Sequence, residues 1–199
     1  MSAAQNLDDV SRETLDRLED LVRRWNSKIN LIAPSTLTDI RNRHSLDAAA
    51  VSNAVAHDVS SWVDLGSGGG FPGLVVSILR PSCKVTLVES DGRKAAFLRT
   101  AKRELGLNAQ VIADRIEAVP PLNAEIVSAR ALAPLPLLLE YALRHGTDGT
   151  RYLFPKGKNW EAEHDLASVD WAYDLNVHDG APASDGKILE LTNLRRRNG

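Results

Sequence analysis

The chain has 199 residues, of which 43% are apolar and 25% charged, with a formal net charge of −2. This composition is typical of one ordinary globular domain with room for a small appendage, and no apolar run approaches the length needed to span a bilayer. The near-neutral charge excludes a protein that coats nucleic acid by bulk charge, but it leaves room for a local basic face. A single cysteine excludes an internal disulfide. Because the N-terminus also shows no signal-peptide pattern, we expect a cytoplasmic protein. Separately, we expect a monomer.

The first part of the chain predicts a helical extension. Residues 7–29 carry apolar side chains at helical spacing, with charged side chains on the opposite face. After an extended connector at 30–34, a second helical zone is predicted from about 36 to 56. No flexible linker follows, so residues 1–57 are expected to form a helical cap that packs on a core of residues 58–199.

Strands and helices alternate in the rest of the chain. Such alternation produces a mostly parallel, doubly wound α/β sheet of the Rossmann-like kind, and its ligands bind at the carboxyl ends of the strands. The last two strands are expected to form a hairpin. The predicted strands are 61–65, 84–89, 109–113, 125–128, 151–154, 169–177 and 188–191, and the predicted helices are 72–79, 92–105, 135–143 and 161–166.

A glycine-rich turn at residues 63–73 organises this core. Five of the eight residues 66–73 are glycines. They follow a buried strand, and Pro72 marks the start of the next helix. Glycine tolerates positive φ and lets a ligand approach the backbone, and proline suits the first turn of a helix. This strand, turn and helix therefore predict a nucleotide-like ligand. The spacing Gly68-x-Gly70-x-x-Gly73 also matches the dinucleotide fingerprint, which is a weak signal by itself.

Two carboxylates narrow the choice of ligand. Asp64 precedes the first glycine by two residues, where its charge would oppose the pyrophosphate of NAD but suit the sulfonium and amino group of S-adenosylmethionine. Glu89 ends the next strand, where an acid hydrogen-bonds ribose hydroxyls in both kinds of site. We therefore expect S-adenosylmethionine as the cofactor, with a dinucleotide as the alternative.

Loops after the later strands provide further candidates. The loop 114–117 would border an adenine pocket, although an ordinary charged turn explains it about as well. Arg130 at the end of a buried strand needs an anion such as a phosphate or a cofactor carboxylate, or else a pair with Asp114 or Glu117. Lys156 lies in a loop that could hold a phosphate or a base, with a plain solvated loop as the alternative.

His44 is the remaining candidate from the first part of the chain. It lies among basic residues, and no second His or Cys sits at ligand spacing, so no metal is expected. A surface or capping histidine is its default interpretation.

With these stretches placed, the chain resembles the bacterial 16S ribosomal RNA guanine-N7 methyltransferases known as RsmG or glucose-inhibited division protein B. The resemblance covers most of the chain, and its Trp-Asn…Asn-Leu and Arg-His-x-Leu-Asp segments lie outside the general methyltransferase motif. The matching segments are 25–31, 43–47, 66–73, 78–81, 93–99, 115–117, 129–131 and 155–157.

The resemblance implies a Rossmann-like class I S-adenosylmethionine-dependent methyltransferase with an N-terminal helical extension. It implies methylation of N7 of guanine 527 in the 530 loop of 16S ribosomal RNA in the small ribosomal subunit. The sequence departs mildly from the family pattern, with Glu89 where relatives often have Asp and Gly69 where many have Pro. The cofactor contacts implied by the family are Gly66, Phe71, Ile116, Glu117 and Arg130, and the residue pattern adds Asp64, Gly68 and Glu89.

The implied chemistry needs no general base. Guanine N7 has an in-plane lone pair and no proton, so it can attack the sulfonium methyl in line while the enzyme supplies positioning and a suitable field. We expect Arg130 and Lys156 to hold the phosphate and the target nucleotide, and His44 and Asn30 to shape the pocket.

Three rival functions remain open from the sequence. The first is an NAD-dependent oxidoreductase on the same fold, which needs a Tyr–Lys or His–acid arrangement that we do not find well placed. The second is a methyltransferase for a small molecule, with the helical cap as a substrate lid. The third is a non-catalytic RNA-binding or assembly factor.

Overall fold

A computed structural model describes residues 8–182 and 185–197 of the chain. Within them, seven strands form one sheet in the order β3-β2-β1-β4-β5-β7-β6. The first five strands are parallel, while β7 runs antiparallel to both β5 and β6. This confirms the predicted mostly parallel sheet, and the last two strands pair as the expected hairpin. The strands are β1 (Ser61–Leu65), β2 (Lys84–Val88), β3 (Ala109–Ile112), β4 (Ile126–Ala129), β5 (Arg151–Lys156), β6 (Trp171–Asp179) and β7 (Lys187–Arg196).

Six α-helices accompany the sheet in the described part of the chain. The N-terminus of α4 is capped by Asp91, and its C-terminus by Gly106 at φ +67°, as the sequence predicted for that glycine. None of the described helices combines the length and the apolar character required to cross a membrane. The helices are α1 (Asp9–Asn26), α2 (Leu46–Asn53), α3 (Gly73–Leu79), α4 (Gly92–Leu105), α5 (Leu135–Leu143) and α6 (Trp160–Ala167).

The second helical zone, predicted for about residues 36–56, consists of three consecutive helical elements. A 3₁₀-helix at Pro34–Asp39 and a π-helical turn at Arg41–Ser45 precede α2. The π-helical turn lies where Arg41 Nε and Ser45 Oγ both donate to the buried Glu19 carboxylate of α1, at 2.6 and 2.7 Å. Contacts with another helix fix the backbone here, and local periodicity carries no signal of them. Such turns are frequent at functional sites.

The helical extension shares a hydrophobic cluster with one face of the sheet. Leu18 of α1, Ala49 of α2 and Leu74 of α3 are fully buried in this cluster, and the rings of Trp25 and Phe97 meet edge to face at 5.7 Å between centroids. A second cluster, formed with α5 and the last strands, covers the other face. The division of the chain at residues 57 and 58 stays a prediction, and residues 1–7, 183–184 and 198–199 of the two predicted parts lie outside the described residues.

Candidate active site

The glycine turn between β1 and α3 is held by two carboxylates. The amide of Gly68 donates to Glu89 Oε2 at 2.8 Å, and the amide of Gly73 donates to Asp64 Oδ2 at 3.2 Å. A side chain at Gly73 has no room, because its Cβ would lie 2.7 Å from Asp64 Oδ2. Amides at the N-terminus of a helix are the usual donors to a bound phosphate. Here one such donor, the Gly73 amide, and one amide of the preceding turn, that of Gly68, are already used by acidic side chains.

Asp64 lies beneath the turn and not at its mouth. The residue is 1% exposed, and its Oδ1 accepts a hydrogen bond from Ser128 Oγ at 2.8 Å. Burial raises the pKa of Asp64 to about 6, and the hydrogen bonds from Ser128 and the Gly73 amide act in the opposite direction. The sequence predicts that the Asp64 carboxylate faces the ligand. This prediction is wrong, because the carboxylate is buried. A buried carboxylate needs hydrogen-bond donors, and the donors it uses come from β4 and α3.

A cleft of about 360 Å³ opens beside the turn; we call it the glycine cleft. Glu89 faces it with a fixed carboxylate, because Oε1 accepts from the amide of Asp91 and Oε2 from that of Gly68, both at 2.8 Å. Each oxygen keeps further acceptor capacity. The cleft brings together five of the predicted cofactor residues, namely Gly66, Gly68, Glu89, Ile116 and Glu117, and its other lining residues are Val88, Ser90, Lys94, Arg115, Ala131, Leu132, Ala133, Leu137 and Tyr141.

A second cleft of about 570 Å³ contains most of the predicted substrate residues; we call it the basic cleft. His44, Arg130 and Lys156 line it together, while Asn30 is exposed and lines neither cleft. Residues 131–133 line both clefts, so the loop after β4 is their shared wall. The other charged residues around the basic cleft are Arg43, Lys158 and Lys187, with Asp47, Glu163 and Asp185.

His44 is buried and hydrogen-bonded at both ring nitrogens. Its Nδ1 contacts Arg130 Nη2, and its Nε2 lies 2.8 Å from Thr36 Oγ1, which in turn donates to the carbonyl of Ala33. The guanidinium can only donate and the threonine proton is already used, so the imidazole proton lies on Nε2. Burial, aided by the Arg130 guanidinium, lowers the pKa of His44 to about 4. His44 is therefore a neutral residue that holds Arg130. Of the default interpretation as a surface or capping histidine, the surface position is wrong, because the residue is buried.

Arg130 follows β4 directly, as predicted, and one of its nitrogens lacks a partner. Nη1 is buried and makes no hydrogen bond with any described residue. Burial lowers the pKa of this guanidinium, whereas the charges of Asp47 and Asp64 act in the opposite direction. An unpartnered buried guanidinium N–H is suited to an anionic group. Phe71, another predicted cofactor residue, packs on the His44 ring at 5.2 Å between centroids and lines neither cleft.

Lys156 holds the shared wall. Its Nζ donates to the carbonyl of Ala133 at 2.9 Å and to Glu163 Oε2 at 2.8 Å, and its side chain is 10% exposed. The same Glu163 oxygen accepts from the amide of Leu135, the first residue of α5, at 2.8 Å. The sequence suggested a lysine open to phosphate and did not identify Glu163, which is an ordinary acid of a short helix until the fold places it against α5.

The fold and the two clefts define a class of protein. The strand order and the cleft at the carboxyl ends of the parallel strands are those of a Rossmann-like methyltransferase fold. The structure is similar to an MtNAS variant in complex with S-adenosylmethionine, with a TM-score of 0.64 and 15% identity over 92% of this chain and 76% of that chain. It is also similar to the mitomycin 7-O-methyltransferase MmcR, with a TM-score of 0.59 and 14% identity over 94% and 69% of the two chains.

The chain belongs to the rRNA small subunit methyltransferase G family, whose family model, GidB, matches residues 11–191. A relative named ribosomal RNA small subunit methyltransferase G from Paracoccus denitrificans is 51% identical over 190 residues, which are 94% of this chain and 98% of that protein. A relative of the same name from Ruegeria pomeroyi is 45% identical over 196 residues, covering 94% and 95%. The predicted family and fold are thus confirmed, and S-adenosylmethionine as the predicted cofactor agrees with both. Within the described ranges, no group of three or more His, Cys, Asp or Glu side chains could hold a metal ion.

Proposed function

We propose that the chain binds S-adenosylmethionine in the glycine cleft and methylates N7 of guanine 527 in the 530 loop of 16S ribosomal RNA, held in the basic cleft. The observation that carries the proposal is the pairing of two of the turn's amides, those of Gly68 and Gly73, with carboxylates. A dinucleotide would place its pyrophosphate on these amides. Here Glu89 and Asp64 already accept from them, so an anion would lose these two donors and meet the carboxylate of Glu89, which faces the cleft. A cationic sulfonium meets no such barrier.

The residues of the glycine cleft fit an adenosine group. Glu89 offers its remaining lone pairs to ribose hydroxyls, and Ile116 offers an apolar side chain to the base. Gly68 leaves the entrance clear, since a Cβ there would meet only the Gly66 carbonyl oxygen, at 3.7 Å. The free N–H of Arg130 on the far side of the shared wall suits an anion, such as a phosphate or the carboxylate of the cofactor.

An RNA substrate is supported by the charge on α4. Four of its basic side chains make no ion pair with any described residue, and Arg99 and Arg103 lie four positions apart, a spacing at which like charges destabilise an isolated helix. A polyanion would remove that cost. Lys94 of the same set also lines the glycine cleft, so one of these charges lies beside the proposed cofactor. The four side chains are Lys94, Arg99, Lys102 and Arg103.

We propose a reaction without a general base, and the hydrogen bonds of His44 and Lys156 in the basic cleft support it. Both ring nitrogens of His44 are engaged, and Lys156 is paired with Glu163. Bound S-adenosylmethionine supplies an electrophilic methyl group, and guanine N7 carries no proton to remove. The residues of the chain then need only to hold the two partners where the two clefts adjoin at residues 131–133, with guanine N7 and the methyl carbon in contact and in line.

The test is to map N7-methylguanine in ribosomal RNA from cells with and without the gene. We expect the modification at guanine 527 to disappear with the gene and to return with the wild-type copy, but not with a Glu89→Ala copy. An unchanged modification would overturn the assignment of the RNA site. Titration of the purified chain with S-adenosylhomocysteine and with NAD tests the cofactor separately, and tight binding of NAD alone would overturn it.

A further inference from the structure

The turn that carries Ile116 and Glu117 is not stable by itself. It consists of one helical turn, in which the amides of Ala118 and Val119 both donate to the carbonyl of Arg115, at 3.0 and 3.2 Å. An isolated turn of this length is unfavourable in water, because its first hydrogen bond does not compensate for the backbone order that it requires. Since the turn lines the glycine cleft, its position depends on what holds it from behind.

The C-terminal end of α5 holds this turn. His145 Nε2 donates to the carbonyl of Ile116 at 3.2 Å, and the neighbouring Arg144 Nε donates to the carbonyl of Val119, also at 3.2 Å. The backbone of His145 is itself anchored, because its carbonyl accepts from the amide of Ala124 at 3.0 Å. Two consecutive residues thus hold two carbonyls of the turn from a fixed point.

The His145 ring has no other described partner. It is 0% exposed, and its Nδ1 makes no hydrogen bond. Burial lowers the pKa of His145, and a carbonyl can only accept, so the ring is neutral with its single proton on Nε2. The single N–H of the ring therefore donates to the carbonyl of Ile116. Burial of a polar side chain costs free energy unless it is hydrogen-bonded, and the single side-chain hydrogen bond of His145 goes to the Ile116 turn.

We infer that His145 is a positioning residue for the cofactor. Its hydrogen bond to the Ile116 carbonyl holds the Ile116 turn where the turn covers the adenine side of the glycine cleft. The inference rests on the proposed function, because it takes the glycine cleft as the cofactor site. None of the described hydrogen-bond partners of His145 lines the basic cleft, so we expect it to act on cofactor affinity and not on the transfer step.

The experiment compares full-length chains that carry substitutions at buried positions. Affinity is measured by calorimetric titration with S-adenosylhomocysteine, and activity by steady-state methylation of ribosomal RNA. We expect His145→Leu to weaken cofactor binding about tenfold, since the Ile116 carbonyl loses its donor. The KM for S-adenosylmethionine should rise by a similar factor, while kcat at saturating cofactor and the KM for RNA stay within about twofold. His145→Gln should recover most of the affinity, because its amide can donate to the same carbonyl.

Thr150→Val is the matched control. Thr150 is 1% exposed, and its Oγ1 donates to the carbonyl of Ala124 at 2.6 Å, so it supports the same region without touching the Ile116 turn. We expect this variant to lose stability and keep its affinity for S-adenosylhomocysteine. Should His145→Leu not fold, Arg144→Met removes the other hydrogen bond from an exposed side chain, and about a threefold loss of affinity is expected.

Three results would overturn the inference. The first is unchanged affinity in a folded His145→Leu variant, or in Arg144→Met if the former does not fold. The second is an equal loss of affinity in Thr150→Val, which would reveal a merely structural role. The third, failure of the wild-type chain to bind S-adenosylhomocysteine, would overturn the proposed cofactor as well, and is thereby distinguished from the other two.

Discussion

The buried position of Asp64 predicts an unusual dependence of stability on pH, which the variant Asp64→Asn isolates. Asparagine has the same shape and can keep both hydrogen bonds, with its carbonyl oxygen towards the Gly73 amide and its amide towards Ser128 Oγ. Only the titrating charge is removed. In the wild-type chain, burial raises the pKa of Asp64 from 3.8 to about 6. The folded state therefore holds this proton more tightly than the unfolded state does.

The sign and the size follow from linkage. Because the folded-state pKa lies above the unfolded value, the stabilisation is fully present below about pH 4 and is lost as the pH rises through 6. A shift of roughly two units at about 1.4 kcal/mol per unit gives a loss of about 3 kcal/mol. Asp64→Asn escapes this loss, so its free energy of unfolding should rise relative to wild type by about 3 kcal/mol between pH 4 and pH 7.5.

Urea unfolding at half-unit steps of pH, on both proteins, measures this difference. Asp179→Asn is the control, because Lys187 lowers the pKa of the exposed Asp179, so its difference from wild type should change with pH in the opposite direction. A difference for Asp64→Asn that stays constant within about 0.5 kcal/mol from pH 4 to pH 7.5 would refute the reasoning. It would mean that the Asp64 carboxylate reaches water.

Three further predictions concern the clefts and the turn. Glu89→Gln should weaken binding of S-adenosylhomocysteine at least about tenfold, because hydrogen bonds to a charged acceptor contribute about 1.5–3 kcal/mol. Calorimetry measures the Kd, and an unchanged Kd would contradict this prediction. Gly73→Ala should lower the free energy of unfolding by about 1–3 kcal/mol in urea, since its Cβ would lie 2.3 Å from Leu87 Cδ2; wild-type stability would be inconsistent with that contact. Lys156→Ala should reduce methylation of ribosomal RNA much more than it weakens cofactor binding, because Lys156 lines only the basic cleft and reaches the glycine cleft only through Ala133. Equal loss of cofactor binding would show that its role is misassigned.

The elements of the sheet and the position of the glycine turn could be predicted because their signals are local. Alternating strands and helices, Gly106 after α4 and the glycines before α3 each depend on a few neighbouring residues. The same is true of Glu89 and Arg130, since the end of a strand fixes which edge of the sheet a residue occupies. These residues line the predicted edge.

Orientations set by distant partners could not be predicted in this way. Asp64 is turned beneath the turn by Ser128, 64 positions away, and Lys156 is drawn from the solvent by Ala133 and Glu163. His145 shows the same limit, because its partner Ile116 lies 29 positions earlier in the chain. The sequence pattern within one segment does not reveal such pairs, so these contacts could be identified only from the packed structure.

The corrected orientation of Asp64 changes how a glycine fingerprint should be interpreted. Glycine spacing alone describes a backbone that a ligand can approach, and it does not say whether the amides of that backbone are free. In this turn, an acid before the glycines and an acid at the end of the next strand each take one amide. Selection against an anionic ligand thus comes from occupied donors, with only Glu89 facing the cleft. We therefore expect Glu89→Gln to weaken binding of a cationic donor without creating affinity for NAD, since Asp64 would still hold the Gly73 amide.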